Sequence, residues 1–265
     1  MTIYDVKHLP YSPARYMSLR KPKPVLIDLK PRFVPTMKVL RDISLKHGMG
    51  SLIGVTLLHR HHILREEQVL VEHIAGGVST TAPASLNDLS EFLIPHTFEL
   101  DLDENTKVVR LIPLEFLDVR SEGINAIELR EVVAQLESNT AFTTEICEAL
   151  VASGTTQLLG LQLIHRESMI DRNNNKLYMS EISTHKFNGD DDVSIITAVT
   201  ELPPDSVPVF WFIKESSTYC EGCIPERPGE GLAVHIPHEA VNGEDDEPYR
   251  CKGGGCDCGG HCGCG

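Results

Sequence analysis

A seven-residue segment occurs twice in this chain. Gly54-Val55-Thr56-Leu57-Leu58-His59-Arg60 returns as Gly160-Leu161-Gln162-Leu163-Ile164-His165-Arg166, 106 residues later and without a gap. Each copy follows a stretch whose apolar residues repeat at helical spacing, 37–47 in the first and 143–152 in the second. Gly48 is a natural stop for the first helix, and Thr143 or Thr144 can cap the second. Each copy then leads through a polar turn to a return strand, Val69-Leu70-Val71-Glu72 or Leu177-Tyr178-Met179-Ser180-Glu181. The second turn, around Asp171–Asn175, is two residues longer, which a hairpin tip tolerates. The pattern predicts an α+β fold in which two related helix–β-hairpin units form one antiparallel-sheet core. Two unrelated hairpins with Leu-rich strands are the alternative, and the doubled His-Arg is what that alternative leaves unexplained.

The rest of the chain divides around this core. Residues 1–34 carry five prolines and read as an irregular lead-in with one apolar run, Val25-Leu26-Ile27. Residues 35–219 form the duplicated core. Within it a hairpin is expected over 54–64 and 68–72, a Ser/Thr/Pro loop over 76–87, a strand pair at 97–102 and 107–116, and a helix over 124–136. Val207–Ile213, with the only Trp, reads as a last buried strand. Beyond 214–219 the composition turns to Pro, Gly and Glu, and residues 220–265 read as an irregular tail rich in cysteine.

The segment Gly54-x-x-Leu57-Leu58-His59-Arg60-His61, followed by Glu67 or Glu72, resembles a family of filamentous-fungal proteins that share a Gly-x-x-Leu-Leu-His-Arg-His-Phe stretch and a later apolar strand with a Trp. Here His62 stands in place of the aromatic residue. The resemblance covers about residues 35–215. It implies one globular, cytosolic unit of fungal type and carries no activity with it.

Seven of the eight cysteines lie in the tail, as Cys220-x2-Cys223 and then Cys251-x4-Cys256-x-Cys258-x3-Cys262-x-Cys264, with His261 among them. Cys-x2-Cys is the spacing of a zinc knuckle. In an extended chain the residues of Cys-x-Cys point the same way, roughly 6.6 Å apart, so both thiolates can converge on one ion. The intervening glycines let the chain wrap around it. This ligand set suits Zn²⁺ or Cu(I), one or two ions. The thiols must be reduced, and with no apolar segment long enough for a membrane span or a signal-peptide core, the expected location is cytoplasmic. Disulfide use after oxidation and an inert Gly/Cys tail are the competing readings.

His59 and His61 fall on one face of their strand, and His165 with Glu167 occupies the matching positions of the second copy. If the copies pair about a twofold axis, His59, His61, His165 and Glu167 converge into a set suited to Zn, Fe(II) or Mn. In the structural alternative, His59 and His165 bond to backbone or to Glu72 and Glu181, and Arg60 and Arg166 pair with the same glutamates. Cys147 lies on a helix with Ile146 and Leu150 and reads as core rather than nucleophile. The acidic runs Asp190–Asp192 and Glu244–Glu247 read as solvated loops, and no phosphate-loop, dinucleotide or hydrolase motif is present.

With 24 Lys and Arg against 38 Asp and Glu, the net charge of −14 repels phosphate backbones and excludes nucleic acid as the expected partner. The leading function is cytosolic metal binding through the cysteine cluster, in a structural or buffering role. The alternatives are a metal-dependent enzyme centred on His59, His61 and His165, and an adaptor whose zinc-ordered tail contacts a protein partner.

Overall fold

A computed structural model describes residues 4–86, 90–166, 169, 178–184, 193–200, 206–213 and 232–236. The Cys-rich cluster, Glu167 and both acidic runs lie outside the described residues. The fold is α+β, with a curled, mostly antiparallel sheet and few helices.

The lead-in expected to be irregular contains a strand β1 (Asp5–His8), a short helix α1 (Pro13–Met17) and a helix α2 (Pro22–Leu29). Proline starts both helices, where its missing N–H costs nothing. Helix α3 (Phe33–Lys46) follows, then strands β2 (Ile53–Leu57), β3 (Gln68–Ala75), β4 (Val78–Ser85), β5 (Leu93–Asp103) and β6 (Val108–Asp118). Helices α4 (Ala126–Ser138) and α5 (Thr140–Ser153) come next, each capped by an Asn side chain, Asn125 accepting from Glu128 N and Asn139 from Phe142 N. The chain continues through β7 (Leu159–Leu163), β8 (Tyr178–Thr184), β9 (Val193–Val199), β10 (Val207–Trp211) and β11 (Leu232–Ile236). β11 falls inside the stretch read from sequence as tail.

The sheet order is β1-β6-β3-β4-β9-β8-β11-β10-β2-β7-β5, and β5 pairs again with β6. The sheet therefore closes into a ring of ten strands, with β1 beside β3 on the outer edge of β6. The expected hairpin of β2 with β3 does not form. β2 pairs antiparallel with β7 and β10, while β3 pairs with β4 and β6. The segment read as a Ser/Thr/Pro loop is strand β4.

The 106-residue offset reappears in the backbone. Gly48 and Gly154 both adopt left-handed φ, 68° and 65°, just past the ends of α3 and α5. Met49 N donates to Ser44 O, and Thr155 N to Leu150 O, each at 2.8 Å. Leu58 N bonds to Leu158 O and Ile164 N to Leu52 O. In the β2–β7 pair Val55 faces Leu161, its own counterpart, so a local twofold axis passes between them. The wider ring follows the same relation. β3–β4 and β8–β9 are antiparallel, β3–β6 and β8–β11 parallel, and β5–β6 and β10–β11 antiparallel.

Ile53, Val55 and Leu57 of β2, with Leu159, Leu161 and Leu163 of β7, join the main apolar core, which includes residues of α3, α4 and α5. The alternate residues Thr56 and Gln162 line a cavity inside the ring. The helices thus bury the outer face of these strands, and the polar face turns inward.

Candidate metal centre

His59 and His61 lie just past the end of β2 rather than within a strand. Their segment is pinned from below by α1. The fully buried Tyr16 hydroxyl lies 3.4 Å from the backbone N–H of both His61 and His62, and Arg60 N donates to Arg20 O. His62 Nε2 is 3.0 Å from Ser194 Oγ on β9.

The duplicated histidines are held alike. His59 Nδ1 donates to Leu57 O at 2.8 Å, and His165 Nδ1 to Leu163 O at 2.9 Å. That bond orients each ring with Nε2 pointing away from its own strand end, the arrangement usual for a metal-ligating imidazole. The carboxylates they meet are exchanged between the halves. His59 and His61 gather with Glu181 of β8, whereas His165 gathers with Glu72 of β3 and with His96 of β5. Within each trio the candidate ligand atoms lie within 4.8 Å of one another. The sequence expectation that His59, His61 and His165 share one centre is therefore corrected to two trios. The partners expected for the histidines, Glu72 and Glu181, are right in identity and crossed in assignment.

The Glu72 trio is an ion-pair network. Arg166 donates to Glu72 through Nε at 2.7 Å and Nη2 at 2.6 Å, Ser79 Oγ donates to it at 2.6 Å, and His165 Nε2 lies 2.9 Å away. Burial alone would push the Glu72 carboxyl up, but Arg166 and His165 outweigh it and hold it well below the usual carboxylate range. His96 is kept neutral by burial and by the neighbouring His165, its pKa well below the ordinary value. The equivalent Arg60 does not enter the other trio; its Nη1 lies 3.9 Å from Met17 Sδ.

The Glu181 trio borders the interior cavity, about 30 Å³ in volume, which is also lined by Thr56, Thr81, Glu115, Gln162 and Arg166. His61 Nε2 is 3.3 Å from Glu181 Oε1. Burial and the charge of Glu181 push the Glu115 carboxyl up to about 7. Three carboxylates, the buried Glu72 and Glu181 and the half-buried Glu115, act on the guanidinium of Arg166.

Sequence reasoning missed His96 and Glu115. In the β5–β6 pair Pro95 faces Phe116 and Thr97 faces Glu115, leaving His96 as an extra residue in a β-bulge. The bulge re-aims the chain so that Thr97 Oγ1 reaches both His96 Nδ1, at 3.1 Å, and Glu115 Oε2, at 3.0 Å. The one available signal was Pro95-His96-Thr97 interrupting an otherwise apolar run. Cys147 is fully buried, and burial pushes its thiol up to about 12, in keeping with a core residue.

Among the described residues, no helix is long and apolar enough to cross a membrane. Comparison with known protein families, with curated proteins and with solved structures returned no match.

Proposed function

We propose that this chain is a metal-binding protein whose ring interior takes one divalent transition-metal ion through His59, His61 and Glu181, with Glu115 across the cavity. The observation that carries this reading is the grouping of two imidazoles and a carboxylate on a buried cavity where three carboxylates meet one guanidinium. Buried charge of one sign is expensive, and a dication balances it. The nitrogen and oxygen donors suit Zn²⁺, Fe²⁺ or Mn²⁺. A cavity of about 30 Å³ has room for an ion and a water, far below the ~300 Å³ or more of organic-ligand pockets. That favours a holding or structural role over turnover of an organic substrate.

The cysteine cluster supports a second, thiolate-based metal site, for Zn²⁺ or Cu(I), under reducing conditions such as the cytosol. Its support is the spacing of Cys220, Cys223, Cys251, Cys256, Cys258, Cys262 and Cys264 around His261. We also infer that the two halves of the ring, β2–β6 and β7–β11, arose by duplication. The shared offset in sequence and hydrogen bonding and the matched pairings support this.

The test of the core site is metal analysis of the purified full-length protein beside the double variant His59→Ala/His61→Ala. The variant is expected to carry one ion fewer per chain. Equal metal content in two equally folded proteins would sink the reading.

A further inference from the structure

Resting on the core metal site just proposed, we infer that Glu72, His96 and His165 form a second metal site, built around the repeated histidine His165, in which the Arg166 guanidinium takes the place of the ion. Both trios contain a carboxylate, two imidazoles, and a histidine oriented by the same Nδ1-to-carbonyl bond. They differ in their cation. On one side Arg166 chelates Glu72 through two nitrogens. On the other, the equivalent Arg60 is turned toward Met17, Glu181 has His61 Nε2 at 3.3 Å, and Arg166 acts on Glu181 from across the shared cavity while its hydrogen bonds go to Glu72. A metal ion at Glu72 would stand beside a fixed positive charge and compete for oxygens already engaged by Ser79 and Arg166. The duplicated fold therefore holds one exchangeable cation and one covalently tethered cation.

The experiment counts zinc per chain in full-length protein after equilibration with Zn²⁺ and desalting. Arg166→Ala is expected to carry one more ion than the unsubstituted protein, and Arg166→Ala/His96→Ala to return to the original count. His96→Ala alone is expected to leave the count unchanged; a loss would show that the native ion sits at Glu72 and overturn the inference. A folded Arg166→Ala protein with the original count also overturns it. If Arg166→Ala folds poorly, refolding with and without Zn²⁺ decides: recovery that depends on zinc and is abolished by His96→Ala supports the inference, and failure to recover in zinc refutes it. The outcomes separate from those of the first reading, which fails only if His59→Ala/His61→Ala loses no ion.

Discussion

At Glu72 four hydrogen bonds converge on one carboxylate with no solvent exposure: two from Arg166, one from Ser79 and one from His165. Removing one partner of such a pair leaves the other charge buried and uncompensated, at a cost of about 3–5 kcal/mol. Glu72→Gln is therefore expected to lower unfolding free energy by about that amount near pH 7, read from urea denaturation. The folded carboxyl titrates well below its unfolded value, so the unfolded state takes up protons first on acidification. Its stabilisation is fully present above about pH 4.5 and is lost as pH falls toward the folded value. The gap between unsubstituted protein and Glu72→Gln should accordingly narrow below pH 4.5; a constant gap would mean that charge is not what Glu72 contributes. Of this network, the sequence made His165, Arg166 and Glu72 visible, because the first two repeat His59 and Arg60 and the third follows on a return strand. Which glutamate meets which histidine was not visible. That depends on β2 pairing with β7 across the ring, a contact spanning 106 residues, rather than with β3 next in the chain.

At the level of elements, apolar patterning located what is buried against helices and missed what faces the polar interior. Helices α3 and α5 and strands β5 and β6 lie where the periodicity put them, within a few residues. Strand β4 did not read as a strand because Ser79 and Thr81, its buried residues, are polar and the flanking residues are small. Inside this ring the usual alternation is inverted, so the inward positions look like loop composition. The same logic explains the repeated glycine at the head of each motif copy. A Cβ on Gly160 would overlap the Phe98 carbonyl oxygen and lie 2.6 Å from Leu58 Cδ2, and one on Gly54 would meet the Phe210 ring and lie 2.7 Å from Trp211 O. These glycines let β7 approach β5 and β2 approach β10, the contacts that close the ring. Gly160→Ala is expected to cost about 1–3 kcal/mol through forced backbone shifts. A thermal melt within a degree of the unsubstituted protein would show that β5 and β7 can separate without penalty.

For the whole molecule, the ring depends on a strand that lies beyond the apparent end of the core. β11 fills the place between β8 and β10, pairing parallel with one and antiparallel with the other. Its counterpart β6 follows β5 after a four-residue turn, whereas the connection from β10 to β11 is much longer and contains Cys220 and Cys223. The cysteine cluster is thus split, one pair within a ring connection and five cysteines after the last strand. A change in composition past residue 214 hid this, since Leu232–Ile236 is a short apolar run inside a Pro/Gly/Glu-rich stretch. Two truncations separate the roles. A chain ending at Tyr249 keeps β11 and loses Cys251 to Cys264 with His261, so it should unfold as one cooperative unit. It should retain the ion that His59→Ala/His61→Ala removes, and hold less zinc than the full chain. A chain ending at residue 219 lacks β11, exposes the edges of β8 and β10, and leaves β2 paired to a strand with no outer neighbour. Its urea transition should broaden and move to lower denaturant, and its core ion should be lost with the ring that positions Glu181 opposite His59. If that shorter chain unfolds at the same midpoint and keeps its ion, β11 is not required to close the ring, and the pairs β2–β7, β2–β10, β5–β7 and β4–β9 suffice to hold the two halves together.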